Sequence, residues 1–165
     1  MPIPHNSVVF ISDNSVAGDS WSIWWNAPSG TPVHNNIASW QQLVGILEPL
    51  PNASIAAIVI SGHGGDGGVQ TAGGQDSWIV ARTLTDEQAG IIRQKVAPGG
   101  VVILLACGQA SGNCSEKDQE GNLRPPSVAA KTKELARKIG LPVIANQDKV
   151  RSGNYGDGDW YGFSP

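Results

Sequence analysis

Two reactive side chains of the sequence occupy matching positions, each directly after an apolar run. His63 is close behind the run from Ile55 to Ser61, and Cys107 follows the run from Val101 to Ala106. Apolar runs rich in β-branched residues that stop at small residues are typical of buried central strands. If both strands lie in one parallel sheet, they end at the same edge, about 5 Å apart for each strand spacing between them. The sequence therefore predicts that the imidazole and the thiol meet at one rim.

A thiol and an imidazole at that separation can carry out nucleophilic catalysis. The thiol attacks as thiolate, and the imidazole can take its proton and later donate it to the leaving group. Glycines beside both residues let a substrate backbone approach and leave amide N–H groups free to stabilise an oxyanion. The amides of Gly64 and Cys107 are therefore candidate oxyanion donors. Asp66 can orient His63, although a dyad without a third member is also workable.

The apolar pattern alternates between strands and helices along the chain. Ser39 and Thr85 are expected to cap two of the helices, and Gly140 is expected to end the third. This order is typical of an α/β fold with helices on both faces of its sheet and with chemistry at the carboxyl ends of the strands. We expect strands at 7–12, 55–63, 99–107 and 141–146, and helices at 39–47, 85–96 and 127–139.

Several segments outside this alternation carry weaker expectations. Pro142 favours an edge position for the last strand. The glycine-rich segment from Gly64 to Gly68 is expected to be a flexible loop, and residues 77–81 a short accessory strand. The polar stretch 108–126 is long enough to be a functional loop. Aromatic residues are expected to cover a sheet face near the start of the chain and to hold the tail at its end: Trp21, Trp24, Trp25, Trp160, Tyr161 and Phe163.

Composition favours one ordered domain over residues 1–165 and argues against two classes of partner, nucleic acids and membranes. The net charge is −3, with 40% hydrophobic and 15% charged residues. The negative charge argues against nucleic acid or an anionic membrane as partner. The sequence lacks an 18-residue apolar run and the features of a signal peptide, so we expect a cytoplasmic protein, or one exported without a recognisable signal. Cys107 and Cys114 are expected to be free thiols, and neither has zinc-site spacing, so neither a metal nor another cofactor is predicted.

The two glycine-flanked motifs resemble those of the caspase-like cysteine peptidases of clan CD. The shared pattern is an apolar strand ending in His-Gly, here Gly62-His63-Gly64, followed by a second ending in a small residue and Cys, here Ala106-Cys107-Gly108. The two reactive residues are 44 positions apart, near the roughly 50 typical of caspases. The resemblance implies a three-layer α/β/α sandwich and an endopeptidase in which His63 is the general base and Cys107 the nucleophile.

One departure changes the branch of the family that the resemblance implies. Leu105 stands where caspases have Gln, so the chain is more similar to CHAT-like or bacterial toxin-protease-like domains than to caspases proper. Two alternatives stay open: a non-catalytic caspase-like interaction module, and a thiol acyl hydrolase or transferase that acts on a non-peptide substrate. A glycine-rich phosphate loop is disfavoured because the Lys-Ser/Thr ending is absent.

The substrate of such an enzyme is a peptide or protein, and its specificity stays open at this point. Asp66, Asp76 or Asp148 could select a basic side chain, and Arg82 or Arg151 an acidic one. The sequence does not decide whether calcium, a small anionic ligand or a partner chain activates the enzyme.

Overall fold

The computed structural model describes residues 3–12, 27–65, 67–71, 78–106, 128–146 and 160–165. Its strands are β1 (Ser7–Ile11), β2 (Val33–His34), β3 (Ile55–Ser61), β4 (Gly64–Gly65), β5 (Gly68–Val69), β6 (Val96–Leu105), β7 (Val143–Asn146) and β8 (Trp160–Phe163). Its helices are α1 (Trp40–Leu47), α2 (Asp86–Lys95) and α3 (Val128–Ile139).

The centre of the fold is a six-stranded sheet in the order β2-β1-β3-β6-β7-β8. All neighbouring pairs are parallel except β7 and β8, which are antiparallel. The predicted α/β fold with a mostly parallel sheet is therefore confirmed. β4 and β5 form a separate two-stranded hairpin directly after β3.

Side chains alternate between the two faces of the sheet, and both faces are apolar. Phe10, Ile60 and Leu104 belong to one core cluster, which also contains buried apolar side chains from α1, α2 and α3. Val59 and Leu105 belong to a second cluster on the other face. Among the described residues no helix packs on this second face, so the three-layer arrangement stays a prediction.

The ends of the helices confirm the capping predictions. Ser39 Oγ accepts a hydrogen bond from the amide of Gln42, and Thr85 forms a reciprocal capping box with Gln88. These bonds satisfy amides that the first turn of a helix leaves unpaired. α3 ends at Gly140, whose φ of +74° is a conformation that glycine adopts without strain.

The prediction that the strand after α3 lies at an edge is wrong. β7 pairs with β6 on one side and with β8 on the other. Pro142 precedes the strand, and its carbonyl oxygen accepts a hydrogen bond from the Val102 amide at 2.9 Å, so its missing N–H interrupts no pairing. The outer position belongs to β8 in the tail, where Phe163 packs against the helical cluster and Trp160 against the other. The tail strand is thus held by the sheet and by Trp160 and Phe163, whereas the packing role predicted for Tyr161 is wrong, because its side chain is exposed.

The segment after His63 is also more ordered than expected. Gly64 pairs with Val69, and Gly65 with Gly68, in an antiparallel hairpin. Of the accessory strand expected at 77–81, the structure has one bridge between Val69 and Ile79. The tryptophans at 21–25 and the loop at 108–126 lie outside the described residues.

None of the helices in the described part of the chain has the length and apolar character that crossing a bilayer requires.

Candidate functional site

The two predicted catalytic strands are direct neighbours in the sheet. β3 and β6 run parallel, with Ser61 opposite Leu105 at their carboxyl ends. The pairing continues one residue further, because the Gly62 amide donates to the Leu105 carbonyl oxygen at 3.3 Å. Neighbouring strands are about 4.8 Å apart. The two chain segments therefore leave the sheet side by side at one rim.

His63 lies on this rim with an exposed side chain, while the residues that support it are buried. It is two residues beyond Ser61, after a bend at Gly62. A Cβ atom at Gly62 would clash with Ser12 Oγ at the end of β1 and with Val69 Cγ1 of β5. Glycine is therefore required on steric grounds at the point where the chain turns from the sheet into the histidine segment.

Cys107 itself lies outside the described residues, as do Asp66, Asp76 and Asp148. For Cys107 and Asp148, the nearest described residues in the sequence are both buried. Ala106, which directly precedes Cys107, is 1% exposed and belongs to the helical core cluster. Asn146, two residues before Asp148 and the last residue of β7, is 2% exposed.

The hairpin fixes the direction of the Gly64 amide. The Gln70 amide donates to the His63 carbonyl oxygen at 2.8 Å at the base of the hairpin. Because hydrogen-bonded and non-hydrogen-bonded pairs alternate in an antiparallel ladder, the next pair, Gly64 and Val69, is a non-hydrogen-bonded one. The hydrogen bonds of Val69 agree with this assignment. Its N–H and C=O point away from β4 and bond to Ile79 at 3.1 and 3.0 Å. The N–H and C=O of Gly64 therefore point away from β5.

The hairpin is packed firmly against the body of the protein. A Cβ atom at Gly67 would clash with Lys131 of α3, and one at Gly68 would clash with the Ile79 carbonyl oxygen. Such close backbone approach is possible because both residues lack a side chain. The position of Gly64 is therefore set by α3 and by the Ile79 segment.

The sequence interpretation missed one residue of this rim. Ser12 is 2% exposed, and its buried hydroxyl has no hydrogen-bond partner in the part of the chain that the structure describes. A serine directly after an apolar strand was visible in the sequence. Its contact with the Gly62 turn depends on the pairing of β1 with β3, which local sequence does not reveal.

His34 and one cavity lie away from this rim. The ring of His34 stacks on Phe10, with 5.5 Å between the ring centroids, two strands away from β3. A cavity of about 290 Å³ opens at the opposite edge of the sheet, beside Ser7 and Ile55. A second cavity, of about 190 Å³, is lined by Val80, Ala81, Arg82, Lys131 and Glu134.

The described residues contain no group of three His, Cys, Asp or Glu side chains that could hold a metal ion. No protein-family model matches the chain, and a search of curated proteins gives no match.

Proposed function

We propose that this protein is a cysteine endopeptidase with a caspase-like three-layer fold, in which His63 is the general base and Cys107 the nucleophile. The observation that carries the proposal is the register of β3 and β6. Ser61 is opposite Leu105, and His63 and Cys107 each follow one of these two residues by two positions in the sequence. Covalent continuity limits how far two residues can move away from a fixed strand end, because each one spans at most about 3.6 Å.

In the proposed reaction, the Cys107 thiol gives its proton to His63, and the sulfur attacks the carbonyl carbon of the scissile peptide bond. A C–S bond forms, and the carbonyl oxygen becomes an oxyanion. The C–N bond then breaks as the imidazolium gives its proton to the leaving amine, which leaves a thioester. Water, deprotonated by His63, hydrolyses this thioester and restores the thiol. The reaction consumes water and needs no cofactor.

The oxyanion is assigned to two backbone amides, those of Gly64 and Cys107. The phase of the hairpin supports the first assignment, because the Gly64 N–H is not used in pairing with β5. A donor that is fixed before the reaction stabilises developing charge without reorganisation, and loss of one such donor typically costs about a hundredfold to a thousandfold in rate.

The three aspartates keep the roles proposed from the sequence. In the sequence, Asp66 lies between β4 and β5, and Asp148 follows β7, the strand beside β6, by two residues. Both are therefore close in the chain to segments at the same rim, and either can orient His63 or contribute to a substrate pocket. Asp76, between residues 71 and 78, is the remaining pocket candidate.

Active-site labelling tests the proposal directly. A series of peptide-based thiol-reactive probes that differ in the side chain before the scissile bond is expected to label Cys107 and not Cys114, as determined by peptide mapping. Denatured protein should not be labelled, and the probes should differ in how fast they label Cys107. Labelling of Cys114 alone, or equal labelling by every probe, would contradict the assignment.

Substitution provides the second test. Cys107→Ala and His63→Ala are each expected to lower kcat/KM for a cleaved peptide by about a thousandfold or more, because the residues of a catalytic unit act together. Cys114→Ala is the matched control and should leave kcat/KM unchanged. If the Cys107→Ala and His63→Ala variants fold normally and retain the protein's cellular function, the enzyme hypothesis is wrong and the interaction-module hypothesis takes its place.

A further inference from the structure

Gly64 presents both a hydrogen-bond donor and an acceptor on the outer side of the β4–β5 hairpin. Its N–H and C=O point away from β5, as the ladder requires. The opposite side of the hairpin is already occupied, because Val69 pairs with Ile79. Among the described residues, nothing pairs with the outer side of β4. In the part of the chain that the structure describes, β4 is thus an open edge next to His63.

The chemistry of this edge favours an extended peptide as its occupant. An anion such as sulfate offers only acceptors and would be repelled by the Gly64 carbonyl oxygen. A peptide strand offers an N–H and a C=O with the spacing of a β-ladder, which is how strands add to open edges. Gly64 and Gly65 have no side chains, so a second backbone can approach them closely.

The edge is also rigid enough to recognise a backbone. Gly67 and Gly68 are packed against α3 and the Ile79 segment, and the Gln70 amide holds the base of the hairpin at the His63 carbonyl oxygen. A fixed donor and acceptor lose little freedom when a substrate binds, which preserves more of the interaction energy.

We propose that the substrate binds as a β-strand along β4, so that the Gly64 carbonyl oxygen accepts an N–H from the substrate while the Gly64 N–H holds the scissile carbonyl. This inference rests on the proposed function. If the substrate strand is antiparallel to β4, the N–H belongs to the residue that carries the scissile carbonyl (P1). If it is parallel, the N–H belongs to the second residue after the scissile bond (P2′). The site therefore selects unfolded, extended polypeptide.

Backbone ester substitution in a substrate tests the hydrogen bond. The parent peptide is the one cleaved fastest in an internally quenched peptide library, and each derivative replaces one backbone N–H by an ester oxygen. We expect the ester at either P1 or P2′ to lower kcat/KM by about five- to tenfold, the effect of one lost hydrogen bond. Esters at P2 and P3′ are the matched controls, because their N–H groups point to the other side of an extended strand.

The outcomes separate this inference from the proposed function. If cleavage depends on Cys107 but neither the P1 nor the P2′ ester loses more than the controls, the β4 edge does not bind substrate and the peptidase assignment stands. If no library peptide is cleaved in a Cys107-dependent way, the peptidase assignment fails and the inference fails with it.

Discussion

At the scale of single residues, Ser12 combines burial with an unsatisfied hydroxyl. Its side chain is 2% exposed, its Oγ has no hydrogen-bond partner among the described residues, and it lies against the Gly62 turn that leads to His63. A buried hydroxyl without a partner costs free energy, because it has lost its hydrogen bonds to water. Ser12 therefore fills the space beside Gly62, but its hydroxyl adds no stability.

Replacement of this hydroxyl has a definite expected effect. Ser12→Ala should leave the free energy of unfolding unchanged or raise it, because no hydrogen bond is lost. Ser7→Ala, at the start of β1, is the matched control: Ser7 is 1% exposed, and its Oγ donates to the Pro4 carbonyl oxygen at 2.6 Å. That variant should lose about 1 kcal/mol. Urea unfolding of both variants measures the difference, and an equal loss in both would show that the Ser12 hydroxyl has a partner.

At the scale of elements, the β4–β5 hairpin joins the histidine segment to α3. Gly67 sits in the tight turn, with a φ of +78°, and its Cα packs on the backbone of α3. A substitution here has two separable costs: the left-handed conformation and the clash with Lys131.

A second glycine separates these two costs. Gly30 has a φ of +83° but open space where a Cβ would lie. Gly30→Ala should cost about 1–2 kcal/mol, the strain of the left-handed conformation. Gly67→Ala should cost about 1–3 kcal/mol more, because the hairpin must also move off α3. Thermal or urea unfolding compares the two, and equal losses would contradict the packing of the hairpin against α3.

Sequence patterns predicted the elements whose signals are local. Ser39 and Thr85 were assigned as caps because a cap and its partner are three residues apart. The hairpin carried a local signal as well, since Asp66-Gly67 is a favoured two-residue turn. The glycine-rich context obscured it, because Gly67 and Gly68 also pack backbone against α3 and Ile79, contacts that are distant in sequence.

At the scale of the whole molecule, the sheet is closed at one side by a strand from the tail. Phe163 and Trp160 of β8 pack on opposite faces of the sheet, whereas Tyr161 is 37% exposed. The edge position of β8 could not be predicted from Pro142, because strand order depends on pairing between residues far apart in the chain. All three described helices share one core cluster, so the helix layer predicted for the other face stays a prediction.

The tail strand should contribute to global stability through its packed residues. Phe163→Ala is expected to lower the free energy of unfolding by about 1–3 kcal/mol, less than for a fully buried phenylalanine because Phe163 is only partly buried. Tyr161→Ala, the matched aromatic control, should stay within about 0.5 kcal/mol. Chemical denaturation followed by circular dichroism measures both, and a small effect of Phe163→Ala would mean that β8 detaches before the rest of the sheet unfolds.

The antiparallel direction of β8 has a practical consequence for handling the protein. β8 starts opposite Asn146, at the carboxyl end of β7, and finishes opposite Val143. Pro165 therefore lies toward the far edge of the sheet, where the parallel strands begin. β1 starts from that far edge too, which places Ile3 there as well. A tether to a bead or sensor chip through Pro165 would therefore leave the rim that carries His63 turned toward the solution.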